Sequence, residues 1–190
     1  MSVENNLVEN IKSWAINGQE QTLLGEYYCI THDVFHARLN RFLQELRGNL
    51  ANDNLAFLLA AVIGEVGNNS FDHNLGNWPD APGLCFGYDL KQRLVILADR
   101  GQGVLATIKK VKPATSTPQE ALRVAFTETI SGCSPERRGN GLKFVRQTIQ
   151  ANALELNFHS GQANCFINKD SFIIKQIEET IPGVLAIIKF

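Results

Sequence analysis

Three groups of residues in this sequence have types and spacing that could do chemistry. Glu65, Asn69 and His73 recur at i, i+4 and i+8 within a largely apolar segment, which places a carboxylate, an amide and an imidazole on one helical face. Such groups are costly on an apolar helix unless they line a site; the alternative is a polar stripe turned to solvent. Asp99 ends the β-like run Leu94-Val95-Ile96-Leu97-Ala98 and begins Asp99-Arg100-Gly101-Gln102-Gly103. There the strand end fixes a carboxylate, and Gly101 and Gly103 let the backbone turn and approach a ligand closely. The third group, Arg137-Arg138-Gly139-Asn140-Gly141, leads into Leu142-Lys143-Phe144-Val145. A helix start of this kind offers backbone N–H groups and the positive end of the dipole to an anion such as phosphate. The two arginines add charge there or are solvated loop residues. No strand runs directly into this G-x-G and a third glycine is missing, so it is not the dinucleotide fingerprint. The P-loop pattern G-x-x-x-x-G-K-[ST] is absent from the sequence.

Other reactive side chains give weaker signals. His32 and His36 have the i, i+4 spacing of metal ligands, but no third ligand is apparent, and the pair reads as a surface feature. Cys29, Cys85, Cys133 and Cys165 lie far apart without a C-x-x-C pair, as expected of reduced, structural thiols.

The elements that must position these groups follow from periodicity and breakers. Residues 3–16 predict a short amphipathic helix through Val3, Leu7, Ile11 and Trp14, ended by Asn17-Gly18. A strand is expected over Thr22–Ile30, then a helix capped by Thr31 or Asp33 and running to about Arg47. Asn52-Asp53-Asn54 starts the next helix, Leu55–Leu75, which is apolar almost all round to Ile63 and must be central to the fold. Two strands, Leu84–Asp89 and Leu94–Ala98, are joined by a turn near Lys91-Gln92. Residues 104–138 are less regular, with a short helix at Gln119–Thr129. Gly141–Ala153 is helical again, and four strands are expected at Leu154–Phe158, Ala163–Ile167, Ser171–Ile177 and Val184–Phe190. Helices early and strands late predict an α+β fold: a two-layer sandwich with helices on one face of a mixed, mainly antiparallel sheet.

Composition narrows the class without naming a function. The 190 residues fit one domain with a core of adequate size, and 18 basic against 19 acidic residues give a net charge of −1. This balance excludes a strongly basic nucleic-acid binder and an acidic disordered tail. No apolar run is long enough to span a bilayer, and the first residues lack a basic segment ahead of an apolar one, so a soluble, cytoplasmic protein is expected.

Taken together and in this order, the three motifs resemble the ATP-binding motifs of the Bergerat-fold superfamily of gyrase, heat-shock chaperone, mismatch-repair and histidine-kinase ATPases. The resemblance spans about residues 33–190 and is tightest over 61–148. It implies an ATP-binding module over 31–190, preceded by a helix/strand extension over 1–30, with a lid at about 104–138. By the same resemblance Asn69 holds the Mg²⁺ that accompanies ATP, and Glu65 is the catalytic base. Asp99 accepts a hydrogen bond from the adenine amine, Gly101 and Gly103 pass close to the base, and Gly139 and Gly141 present N–H groups to the phosphates. Arg138 adds charge there. His73 joins the nucleotide-binding set, orients Glu65, or simply closes the helix end.

Within the superfamily, a histidine kinase needs a phosphoacceptor on a dimerising helical hairpin. The stretch around His32 lacks the usual proline, and only one convincing helix follows it. Gyrase-like and chaperone-like ATPases need a second domain, for which there is no room. The sequence is most similar to stand-alone anti-sigma-factor serine/threonine kinases, which implies phosphoryl transfer from ATP to a regulatory partner of STAS type, or contact with a sigma factor. A histidine-kinase-like ATPase and a nucleotide-controlled interaction module without turnover are the alternatives. No direct contact with nucleic acid or membrane is implied, and a homodimer is left open.

Overall fold

The computed structural model describes residues 6–18, 25–49, 52–129 and 141–190. In chain order these form α1 (Asn6–Asn17), β1 (Tyr28–Cys29), α2 (His32–Asn49), α3 (Asp53–Asn74), β2 (Leu84–Asp89), β3 (Leu94–Asp99), α4 (Gly103–Val111), α5 (Pro118–Thr127), α6 (Gly141–Ala151), β4 (Glu155–Asn168) and β5 (Ser171–Lys189). The strands make one sheet in the order β1-β2-β3-β5-β4. Every ladder among the described residues is antiparallel, so the sheet is not mixed.

The α+β sandwich is as expected, with a third layer added. Along β3, Val95 and Leu97 enter the main core with Phe35, Phe42, Leu59, Ile63 and Val145, the layer built by α2, α3, α5 and α6. Ile96 and Ala98 point to the other face, where Ile11, Trp14 and Ala15 of α1 cover them. Alternate residues of a strand face opposite ways, so this division places α1 across the sheet from the remaining helices. The continuous apolar run of β3 is the pattern of a strand covered on both sides, and all six of its residues are buried. Helix α1 ends where Asn17-Gly18 predicts, with Gly18 in the left-handed region (φ +70°) and its N–H on the Trp14 carbonyl at 2.9 Å. Residues 6–17 are therefore packing on the back of the sheet.

Three expectations change. Of the strand expected over Thr22–Ile30, residues 22–24 lie outside the described residues; among the rest only Tyr28–Cys29 is strand, pairing with Leu84–Cys85, and Gly25–Tyr27 is a turn. The four C-terminal strands are two long ones, because the chain passes Ser160-Gly161 through a register shift instead of breaking there. The segment after β3 is more regular than expected: α4 begins directly at Gly103, and α5 is fixed by a capping box in which Thr117 accepts from the Glu120 N–H and Glu120 accepts from the Thr117 N–H.

Candidate functional site

Helix α3 is the platform. Asn52 caps it by accepting from the N–H groups of Asn54 (3.0 Å) and Leu55 (3.4 Å). Its buried face runs through Leu59, Val62, Ile63 and Val66. That packing sets the rotation of the helix and holds Glu65 and Asn69 half-buried at one edge, while His73 is exposed.

The second motif docks on the last two turns of α3 through residues that the spacing argument did not single out. The Ser70 hydroxyl donates to Asp99 Oδ2 at 2.7 Å, and the Gly101 N–H donates to Asp99 Oδ1 at 2.8 Å. The Val184 N–H from β5 is a further donor to this carboxylate. Asp99 is only 2% exposed. Burial pushes its pKa above the usual carboxylate range, and the three donors oppose that shift. One turn further on, Asn74 Oδ1 accepts from the Gln102 N–H at 2.8 Å, and the Gln102 side chain donates to the His73 carbonyl at 3.0 Å. His73 thus meets this motif through its backbone.

The structure supplies packing reasons for the glycines here. A Cβ on Gly101 would collide with the Asn74 amide. Gly103 has φ +74°, and a Cβ there would sit 2.9 Å from the Pro182 carbonyl oxygen. The third motif reaches α3 at Gly141, the first residue of α6. A Cβ at Gly141 would collide with the Glu65 carboxylate and lie 3.6 Å from Asn69 Nδ2. The N-terminus of α6 therefore stands against the pair Glu65 and Asn69, where a negative charge is favoured. Gly139, Arg137 and Arg138 lie outside the described residues, as does the far end of the expected lid.

Arg100, uninformative as a motif residue, is the joint between this loop and α1. It is 9% exposed. Its guanidinium donates to Asp80 Oδ2 at 2.6 and 2.9 Å and to the carbonyls of Trp14 (3.1 Å) and Ala15 (2.7 Å). These are carbonyls of the last turn of a helix, where a cation is favoured; that of Trp14 also accepts from the Gly18 N–H. Arg100 also holds the Asp80 carboxyl below its usual range. An arginine directly after a strand-end aspartate was the only available signal, and it does not say which carbonyls the side chain will reach.

The remaining reactive groups divide plainly. Cys29, Cys85 and Cys165 are buried and unpaired, and burial pushes their thiols up, Cys165 to about 12, so they are inert. Cys133 lies outside the described residues. Helix α2, which carries His32 and His36, is built into the main core through Phe35, Leu39, Phe42 and Leu46. Among the described residues, no helix is long and apolar enough to cross a membrane, and no group of three or more His, Cys, Asp or Glu gathers. No protein-family model matches the chain, and a search of curated proteins finds no match.

Proposed function

We propose that this chain is an ATP-binding regulatory protein that transfers a phosphoryl group, in a Mg²⁺-dependent reaction, to a hydroxyl of a partner protein. The observation that supports it is the meeting of all three motifs on α3: Asp99 through Ser70, Gln102 through Asn74, and Gly141 against Glu65 and Asn69.

The residues present fit such a group. A carboxylate has about four acceptor sites. Ser70, Gly101 and Val184 account for three donors at Asp99, which leaves capacity for one more N–H. The adenine amine supplies that donor, whereas the keto oxygen of guanine would be repelled. The amide oxygen of Asn69 is the hard ligand that Mg²⁺ prefers. Gly141, with no side chain, lets the α6 N-terminus face the phosphates.

When bound, Mg-ATP supplies the transferable phosphoryl group and neutralises its charge. Glu65, half-buried beside Asn69, accepts the proton of the attacking hydroxyl. Asp99 selects the base, and α6 positions the phosphate end. The partner, a STAS-like protein or sigma factor, is carried by family resemblance alone.

Calorimetry of the full chain with ATP, with and without Mg²⁺, tests the reading. Asp99→Asn should lose ATP affinity in both conditions, and Asn69→Ala should lose only the Mg²⁺-dependent part. Wild-type protein that fails to bind ATP would end the proposal. Glu65→Gln is expected to keep ATP binding and lose phosphoryl transfer. A variant with unchanged turnover would shift the balance to the alternative, a module in which ATP orders a protein interface without chemistry.

A further inference from the structure

The N-terminal turn of α2 carries a second cluster that the proposed phosphoryl transfer does not use. His32 Nε2 lies 3.1 Å from His36 Nε2, and both ring nitrogens face Asn68 Oδ1 of α3, at 3.1 and 3.0 Å. Three heteroatoms thus form a nearly equilateral triangle.

Hydrogen bonds do not account for it. Two imidazole N–H groups can serve at most two of the three edges, and if both point at Asn68 the two protonated nitrogens face each other at 3.1 Å. Turning the Asn68 amide so that its NH₂ donates to both rings leaves two lone pairs opposed at the same distance. A cation seated off the plane of the triangle faces all three acceptors at once. Ligands held at about 2.1 Å from one metal ion are about 3.0 Å apart at the right angles of an octahedral site and about 3.4 Å apart in a tetrahedral one, so the triangle opens by no more than a few tenths of an ångström to take the ion.

We propose that His32, His36 and Asn68 form a binding site for a divalent transition-metal ion of the Zn²⁺ type, clipping α2 to α3. Imidazole nitrogen selects Zn²⁺, Ni²⁺ or Cu²⁺ over Mg²⁺ and Ca²⁺, which separates this site chemically from Asn69. The three protein ligands leave coordination positions for water, and His32 is exposed, so the ion has a path of entry. The position is buttressed: the His32 ring meets Phe71 edge-on at 5.5 Å, and Phe35 packs between His36 and Phe71. The sequence spacing showed only two ligands because the third is an amide on another helix, 32 residues beyond His36.

The test is titration of full-length, chelator-stripped protein with Zn²⁺ alone by calorimetry, and with Co²⁺ alone by visible absorption. One equivalent should bind and raise the melting temperature. Binding and the thermal shift should be lost in His32→Gln and in His36→Gln, and weakened in Asn68→Ala. Asn68→Asp, which exchanges the amide for a carboxylate at the same reach, should tighten it. Circular dichroism establishes that each variant is folded. The proposal is overturned by wild-type protein that binds no Zn²⁺, by equal binding in the His32→Gln/His36→Gln double variant, or by an Asn68→Asp variant that binds no more tightly than wild type.

Discussion

Removing the Ser70 hydroxyl isolates the contact that ties the first motif to the second. Ser70 is 6% exposed and donates to Asp99 Oδ2 at 2.7 Å, both groups being buried. A hydrogen bond to a charged group contributes about 1.5–3 kcal/mol, and for a domain of this size each kcal/mol moves the melting temperature by about 2–4 °C. Ser70→Ala should therefore melt about 3–12 °C lower at a pH above the folded pKa of Asp99, where the carboxylate is charged. The sign of the pH dependence follows from Asp99. Its folded pKa is raised above the unfolded value, so its contribution to stability is complete at acid pH and declines as pH rises through the folded pKa. The serine hydroxyl lowers that pKa, and deleting it raises the pKa further. The deficit of Ser70→Ala should then be small near the ordinary aspartate range, where Asp99 is protonated in both proteins, and grow towards neutrality. In an Asp99→Asn background the same substitution should cost only the about 0.5–1.5 kcal/mol of a neutral hydrogen bond. Chemical denaturation of the four proteins, repeated across pH, provides the assay. A deficit of equal size at acid and neutral pH, or one unchanged by Asp99→Asn, would refute the claim that Ser70 serves the carboxylate.

Arg100→Met removes the guanidinium that joins Asp80 to the end of α1 but keeps the aliphatic stem. Asp80 is half-exposed, so no buried charge is left behind; losing the charged donor should cost about 1.5–3 kcal/mol, with loss of amide-exchange protection concentrated in α1. Gly141→Ala puts a methyl where the Glu65 carboxylate lies; that carboxylate is the movable end of a half-buried side chain, so it should turn aside with little change in melting temperature. If the two groups meet at a nucleotide site, calorimetry should nevertheless show weaker ATP binding.

What the sequence made legible was local. The Asn52 start of α3, the stop at Asn17-Gly18 and the β2–β3 hairpin were each written in a few neighbouring residues. So was the placement of Glu65 and Asn69 on one edge of a helix. What stayed hidden depended on distant partners. Nothing in residues 6–17 says which face of the sheet their apolar stripe will cover. The glycines at 101 and 141 signalled close approach, but not that the groups approached would be Asn74 and Glu65. Ser160-Gly161 looks like an interruption, yet the ladder shifts register there and continues. Gly103 starts a helix without a local capping side chain, since Gln102 makes no cap hydrogen bond and the Val104 N–H is met by the distant Ser160 hydroxyl, and so α4 lacked a start signal.

The order of strands in the sheet has a consequence for biosynthesis. β5 is made after the other four described strands, yet it lies between β3 and β4, pairing Asp99 with Val184 on one side and Phe158 with Ala186 on the other. Until it emerges, β3 offers an unpaired apolar edge, the kind that pairs with other chains. At about 5–20 residues per second, translation leaves that edge exposed for several seconds. Val184, one of the donors to the Asp99 carboxylate, is translated about 85 residues after it. The nascent protein therefore cannot complete the set of donors around Asp99 until β5 is made, and an early stop anywhere before β5 would leave a chain with an open apolar edge, prone to aggregate.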